Sequence, residues 1–256
     1  MPPLFRDLSD DLDDDELEPE IFLDAPFVPT DDAMVDMMLK LADLGPKDVL
    51  YDLGSGDGRI VITAAKRHRI RCIGVELDPL RVADAMEDAA YAKVEFLVDF
   101  IEEDIFEVDF SEATVITLYL LDSINVRLRP RFLAELRPGT RIISHSFEMG
   151  DWISDERLEL GGVSIHKWIV PAQVAGLWEW EGLNGEIYQV DLQQKYQEVW
   201  GQAWSDEQSV SLQNAQLCGN QLDLQIQADP ASAAIHFTLH FEDGELQTIE
   251  QETQDN

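Results

Sequence analysis

The run Asp52-Leu53-Gly54-Ser55-Gly56-Asp57-Gly58-Arg59 joins a short apolar segment, Val49 to Leu53, to a stretch with helical spacing that begins at Ile60. Glycines at alternate positions let the backbone adopt positive φ and approach a ligand closely, and the following helix offers unpaired N–H groups. The spacing is Gly-x-Gly-x-Gly. A dinucleotide fingerprint would require glycine where Arg59 stands, so NAD is disfavoured. Glu76 lies 24 positions after Asp52, at the end of the next apolar segment, where a carboxylate accepts hydrogen bonds from ribose hydroxyls. Loop and acid together point to a ligand that carries a ribose.

Other residue groups carry weaker chemical signals. His236 and His240 share one phase of a predicted strand, but no third ligand is spaced to join them, so no metal site is predicted. Cys72 and Cys218 lie far apart without Cys-x-x-Cys spacing, which indicates neither a disulfide framework nor a zinc site and predicts buried or inert thiols. His145 ends a predicted strand and approaches the site without a sign that it acts as a base. Arg127, Arg129, Arg131, Arg137 and Arg141 are read as neutralising the chain's own acids. The tryptophans, five of them between Trp168 and Trp204, are read as core and rim residues.

The elements that must position the loop follow from periodicity. Thr30 is a natural N-cap for Asp31-Asp32, and Met34, Val35, Met38, Leu41 and Ala42 make one apolar helix face that Gly45-Pro46 stops. Strand, glycine loop and helix follow. A second strand, Arg71 to Leu77, leads to Asp78-Pro79, where proline suits the first turn of a helix running to about Ala92. Further strands are predicted near Val98–Ile101, Thr114–Leu120 and Thr140–Phe147, with a helix from about Ser123 to Leu136. This alternation predicts an α/β fold with a mostly parallel sheet covered on both faces. Beyond Pro171 the period becomes two: Tyr188, Val190 and Leu192, then Leu222, Leu224 and Ile226, then Ile235, Phe237, Leu239 and Phe241 alternate with polar residues. Fourteen glutamines between 189 and 254 fall mostly on the polar phase, which predicts a small antiparallel sheet or barrel. His166 to Val170 could close the first unit or open the second.

Charge sets the limits on partners. The 256 residues include 52 acids and 18 bases, a formal charge of −34. A field of that sign repels nucleic acid and anionic membranes at long range. The longest apolar stretch, Leu118 to Leu121, is far below the roughly 20 residues that span a bilayer. The N-terminal segment has neither the basic nor the apolar region of a signal peptide, and a cytoplasmic location is expected. Residues 1–25, with Asp10-Asp11-Leu12-Asp13-Asp14-Asp15-Glu16, read as an acidic, disordered tail. The excess nevertheless extends along the whole chain, as in proteins adapted to a salty cytoplasm; a strongly basic partner is the competing explanation.

The segment Tyr51 to Arg59 resembles motif I of class I S-adenosylmethionine-dependent methyltransferases. More narrowly, Phe27-Val28-Pro29-Thr30 through Gly74-Val75-Glu76-Leu77-Asp78-Pro79, with Thr117-Leu118-Tyr119-Leu120-Leu121 and Leu136-Arg137-Pro138-Gly139-Thr140-Arg141, resembles bacterial relatives of the ATP-synthase c-subunit lysine methyltransferase family. The resemblance covers residues 26–170 and implies a Rossmann-like methyltransferase domain there, with the β module at 171–250 outside it. It implies S-adenosyl-L-methionine as cofactor. Asp52, Gly54, Ser55, Gly56 and Gly58 would line its methionine and sulfonium end. Glu76 would hold the ribose, Asp104 would face the adenine amino group, and Thr30 would sit in a segment closing over the ligand. Tyr119 is the substrate-side candidate, and no general base is assigned. The implied acceptor is a protein lysine. A small-molecule O- or N-methyltransferase, or a non-catalytic protein that keeps the cofactor pocket, are the alternatives. An Asn-Pro-Pro-Tyr motif is absent, which with the charge argues against nucleic-acid methylation.

Overall fold

A computed structural model describes residues 28–253; the acidic tail and Phe27 lie outside the described residues. The first unit is a seven-stranded sheet of β1 (Val49–Leu53), β2 (Arg71–Glu76), β3 (Val98–Glu102), β4 (Val115–Leu118), β5 (Arg141–His145), β6 (Glu156–Leu160) and β7 (Val163–Ile169). Their order across the sheet is 3-2-1-4-5-7-6. Strands 3, 2, 1, 4 and 5 are parallel neighbours, while β7 runs antiparallel to both β5 and β6.

Helices α1 (Asp32–Ala42), α2 (Arg59–His68), α3 (Pro79–Tyr91) and α4 (Asp122–Glu135) complete the unit. Because successive strand residues face opposite sides, β1 feeds two cores: Leu50 packs with Met38, Val61 and Ala65 from α1 and α2, whereas Tyr51 and Leu53 pack with Leu128 and Phe132 of α4. Asp31, one residue later than expected, caps α1 by accepting a hydrogen bond from the Ala33 N–H at 2.9 Å. Pro130 lies inside α4 and interrupts the helix ladder without ending it.

The hairpin β6–β7 settles the position of His166 to Val170, which belongs with the first sheet. β6, of sequence Glu-Arg-Leu-Glu-Leu, is exposed along its length as the edge strand. The second sheet is a meander of β8 (Gly176–Glu181), β9 (Ile187–Lys195), β10 (Glu198–Ser205), β11 (Gln208–Cys218), β12 (Gln221–Gln227), β13 (Ile235–Glu242) and β14 (Glu245–Thr253). Each strand pairs antiparallel with its sequence neighbour. Tyr188, Val190, Leu192, Leu222, Leu224, Phe237 and Leu239 form its buried side, as the period-two pattern requires. No described helix is long and apolar enough to cross a membrane.

Candidate active site

The glycine turn folds back over the end of β2: the N–H groups of Gly54 and Ser55 both donate to the Val75 carbonyl, at 2.8 and 2.9 Å. Gly54, Gly56 and Gly58 have φ of 79°, 54° and 73°, a left-handed conformation that disfavours other residues. At Gly58 a second constraint applies, because a Cβ would come within 2.6 Å of the Phe100 ring. Gly74, opposite Asp52 in the β1–β2 ladder, likewise leaves room for Ser55, whose Oγ would lie 2.7 Å from a Cβ there. The Ser55 hydroxyl is buried and has no hydrogen-bond partner.

Asp52 is buried at the end of β1, and its Oδ1 accepts a hydrogen bond of 2.7 Å from the hydroxyl of Thr117 on β4. Burial pushes its carboxyl up to about 7; the Thr117 bond opposes that rise and the Glu76 carboxylate adds to it. Glu76 acts as a staple. Its Oε2 accepts from Gly56 N at 2.9 Å, and its Oε1 accepts from Leu77 N and Asp78 N at 2.9 and 3.0 Å. These bonds use three of about four acceptor positions on a carboxylate, so one remains for a ligand hydroxyl. Arg59 chelates Asp57 and donates to the Thr30 carbonyl at 2.7 Å, which fastens the segment before α1 to the glycine turn. Asp104 is exposed beyond β3, where its Oδ1 caps a turn through the Phe106 N–H at 2.9 Å. Thr30, Asp52, Gly54, Ser55, Gly56, Gly58 and Glu76 thus converge on the carboxyl edge of β1 and β2, with Asp104 near the end of β3. A buried unpaired hydroxyl, glycines whose Cβ atoms would fill the turn and a carboxylate with spare capacity fit an adenosyl ligand.

On the other side of the switch in strand order, Tyr119 follows β4. Its ring lies tilted by 31° against His145 at the end of β5, with centroids 3.9 Å apart, and its centroid is 6.1 Å from that of Phe147. The Nδ1 of His145 is buried without a partner, and burial holds the imidazole pKa below its ordinary value. Next to this group a cleft of about 600 Å³ opens between α4, the β5–β6 loop and the β6–β7 hairpin. Asp122, Glu148, Arg157 and His166 supply its charged and titratable lining. Sequence spacing did not single out Thr117, Asp122, Glu148, Arg157 or His166, because strand pairing places Thr117, Arg157 and His166, and the start of α4 and the β5–β6 loop place Asp122 and Glu148, rather than a local motif.

The remaining candidates have structural partners. His240 pairs with Asn220 at 3.0 Å, His236 Nε2 lies 3.6 Å from Asp223, and among the described residues no group of acids, histidines and cysteines could hold a metal ion. Arg131 bonds Glu135, Arg141 bonds Asp48, and Arg127 lies over Phe106. Cys72 is buried, with its thiol pushed up to about 12 by burial, and Cys218 is an exposed free thiol at the end of β11 whose pKa desolvation also raises.

The 3-2-1-4-5-7-6 strand order, with an antiparallel strand inserted beside β5, a glycine turn after β1 and an acid closing β2, defines a class I methyltransferase. Residues 52–156 match the ANTKMT methyltransferase domain. A protein-lysine N-methyltransferase of Saccharolobus islandicus is 41% identical over 136 residues, covering 53% of this chain and 84% of the relative. The ATP synthase c-subunit lysine N-methyltransferase of Xenopus laevis is 30% identical over 130 residues, 51% of this chain and 57% of the relative. A solved structure described as an RNA methyltransferase from Salinibacter ruber in complex with S-adenosyl-L-homocysteine is 51% identical, with a TM-score of 0.57, covering 57% of this chain and 96% of that one. The chain belongs to the ATP-synthase c-subunit lysine methyltransferase family, and its cofactor is S-adenosyl-L-methionine.

Proposed function

We propose that the chain methylates the ε-amine of lysine on a protein, with the acceptor entering by the cleft beside Tyr119. The observation that carries this reading is the similarity to the archaeal protein-lysine methyltransferase over most of that relative's length. The cleft chemistry supports it: Asp122 and Glu148 present carboxylates to an incoming ammonium. The RNA reading suggested by the Salinibacter structure is disfavoured by the charge of −34, since duplex and single-stranded RNA are bound mainly through phosphates.

S-adenosylmethionine supplies a methyl group activated by its sulfonium. Asp52, Ser55 and the backbone of Gly54, Gly56 and Gly58 hold the methionine end, Glu76 takes a ribose hydroxyl, Asp104 reaches the adenine side, and the Thr30 segment closes over them. Transfer is an in-line displacement that depends on alignment and on exclusion of water. The attacking nitrogen must first lose a proton, and His145, held neutral with a free buried Nδ1, is the acceptor nearest the aromatic group. Incubating a methylation-deficient lysate with methyl-labelled cofactor and hydrolysing the products tests the proposal. Label in methyl-lysine is expected; label confined to RNA or to a small metabolite overturns the lysine assignment.

A further inference from the structure

The loop between β5 and β6, residues 146–155, supplies Ser146, Glu148 and Gly150 to the cleft wall. Two of its anchors come from its own unit: Asp122 accepts from the Glu148 N–H at 2.7 Å, and the Trp168 indole donates to the Trp152 carbonyl at 2.7 Å. Asn125, Arg129, Ser164 and Lys167 add further bonds from the first unit, and the middle of the loop is also held by the turn between β9 and β10. Gln197 accepts from the Trp152 indole at 2.8 Å and donates to the Ile153 carbonyl at 2.7 Å, so one amide holds two consecutive loop residues. Tyr196 stacks on Trp152 with centroids 5.7 Å apart and donates to Asp151 at 3.0 Å. Lys195 reaches the other oxygen of Asp151 at 3.0 Å. Asp151 is also bonded by Arg129 of α4, whose guanidinium donates to the Met149 carbonyl as well, and these three donors hold its carboxyl well below the usual carboxylate range.

Lys195 is the only lysine or arginine among residues 168–256, against 15 acids, and it is placed at this contact. The module's cation, its turn and the middle of the loop therefore meet at one point on the acceptor side. The turn's described hydrogen bonds to the first unit reach only residues 151–153, and the glycine turn and Glu76 are bonded within the first unit.

We propose that the C-terminal β module is a working part of the acceptor site: Lys195, Tyr196 and Gln197 are positioning residues that hold the β5–β6 loop in the shape that accepts substrate. The proposal rests on the reading that the cleft takes the methyl acceptor. Cofactor binding and acceptor binding should then separate. Removing the Gln197 amide frees the loop at Trp152 and Ile153, so acceptor KM rises while the affinity for S-adenosylhomocysteine stays the same.

The test uses the full chain and the variants Q197A and Y196F, with poly-L-lysine and labelled cofactor as probes and S-adenosylhomocysteine titrated by calorimetry. Q197A loses two hydrogen bonds and Y196F one, so KM for poly-L-lysine should rise at least about fivefold in Q197A and less in Y196F, which keeps the ring stack. The dissociation constant for S-adenosylhomocysteine should stay within twofold, and it also reports that a variant is folded. Unchanged KM in both variants, or a parallel loss of cofactor affinity, overturns the bracing role. If the wild-type chain leaves poly-L-lysine unlabelled and labels RNA or a metabolite, the lysine reading falls, and the same KM comparison on that acceptor still decides the role of the module.

Discussion

At the scale of single residues, Asp52 and Glu76 divide the work of a ligand site between protonation and geometry. A free Asp52 near 7 holds its proton at pH 6 and has lost most of it at pH 8. A bound sulfonium favours the carboxylate, so binding at pH 6 must expel that proton. Affinity for S-adenosylmethionine should therefore climb between pH 6 and 8 and level off above, and Asp52→Asn should flatten the profile; calorimetry in buffers of different ionisation heat reads both. Glu76→Ala removes a charged acceptor from the ligand and from three backbone donors, and should weaken S-adenosylhomocysteine binding by about 1.5–3 kcal/mol, or 10- to 150-fold. An unchanged dissociation constant would remove Glu76 from the ribose site. Lysine chemistry adds a third expectation. A free ε-amine titrates near 10.4, so turnover on a lysine acceptor should rise from pH 7 to about 9. A rate that falls over that range would point to another nucleophile.

At the scale of elements, the turn and its supports form one unit. Gly58→Ala would set a side chain at φ of 73° and drive its Cβ into Phe100, at a cost of about 2–4 kcal/mol. Chemical unfolding measures that loss, and a difference below 1 kcal/mol would show that the β3 ring yields easily. The turn was legible in sequence because its glycines, its strand and the acid that ends β2 all lie between Val49 and Glu76. Helix and strand positions were legible wherever periodicity reported burial, and the module's inner face is an example. β6 was not, because Glu-Arg-Leu-Glu-Leu at an exposed edge carries no burial pattern for a reader to find. Asn125 on α4, Thr117 on β4 and Gln197 in the β9–β10 turn were equally hidden. Each is a polar residue whose meaning comes from a partner far away in the chain, such as Ser144, Asp52 or Trp152.

For the whole molecule, charge is the dominant property. Thirty-four unbalanced negative charges repel one another, and many ion pairs that offset them, such as Arg67 with Asp36 and Arg71 with Glu112, are exposed and individually weak. Between about 0.1 and 1 M salt the Debye length falls from about 10 Å to about 3 Å, so the melting temperature should rise with KCl. A flat or falling curve would mean that the acids are compensated within the fold and would favour a basic partner as the cause of the composition.

The strand orders of the two sheets also imply different routes to the native state. In the meander every ladder joins sequence neighbours, so the module closes only short loops as it forms. The first sheet must bring β4 beside β1, which requires a long crossover through β2, α3 and β3. The second half of the chain should therefore fold first even though it is synthesised last. The cleft wall at Asp151 to Ile153 is then completed by a turn that is already formed and waiting, so the acceptor side of the enzyme matures as a docking event between a finished module and a slower partner.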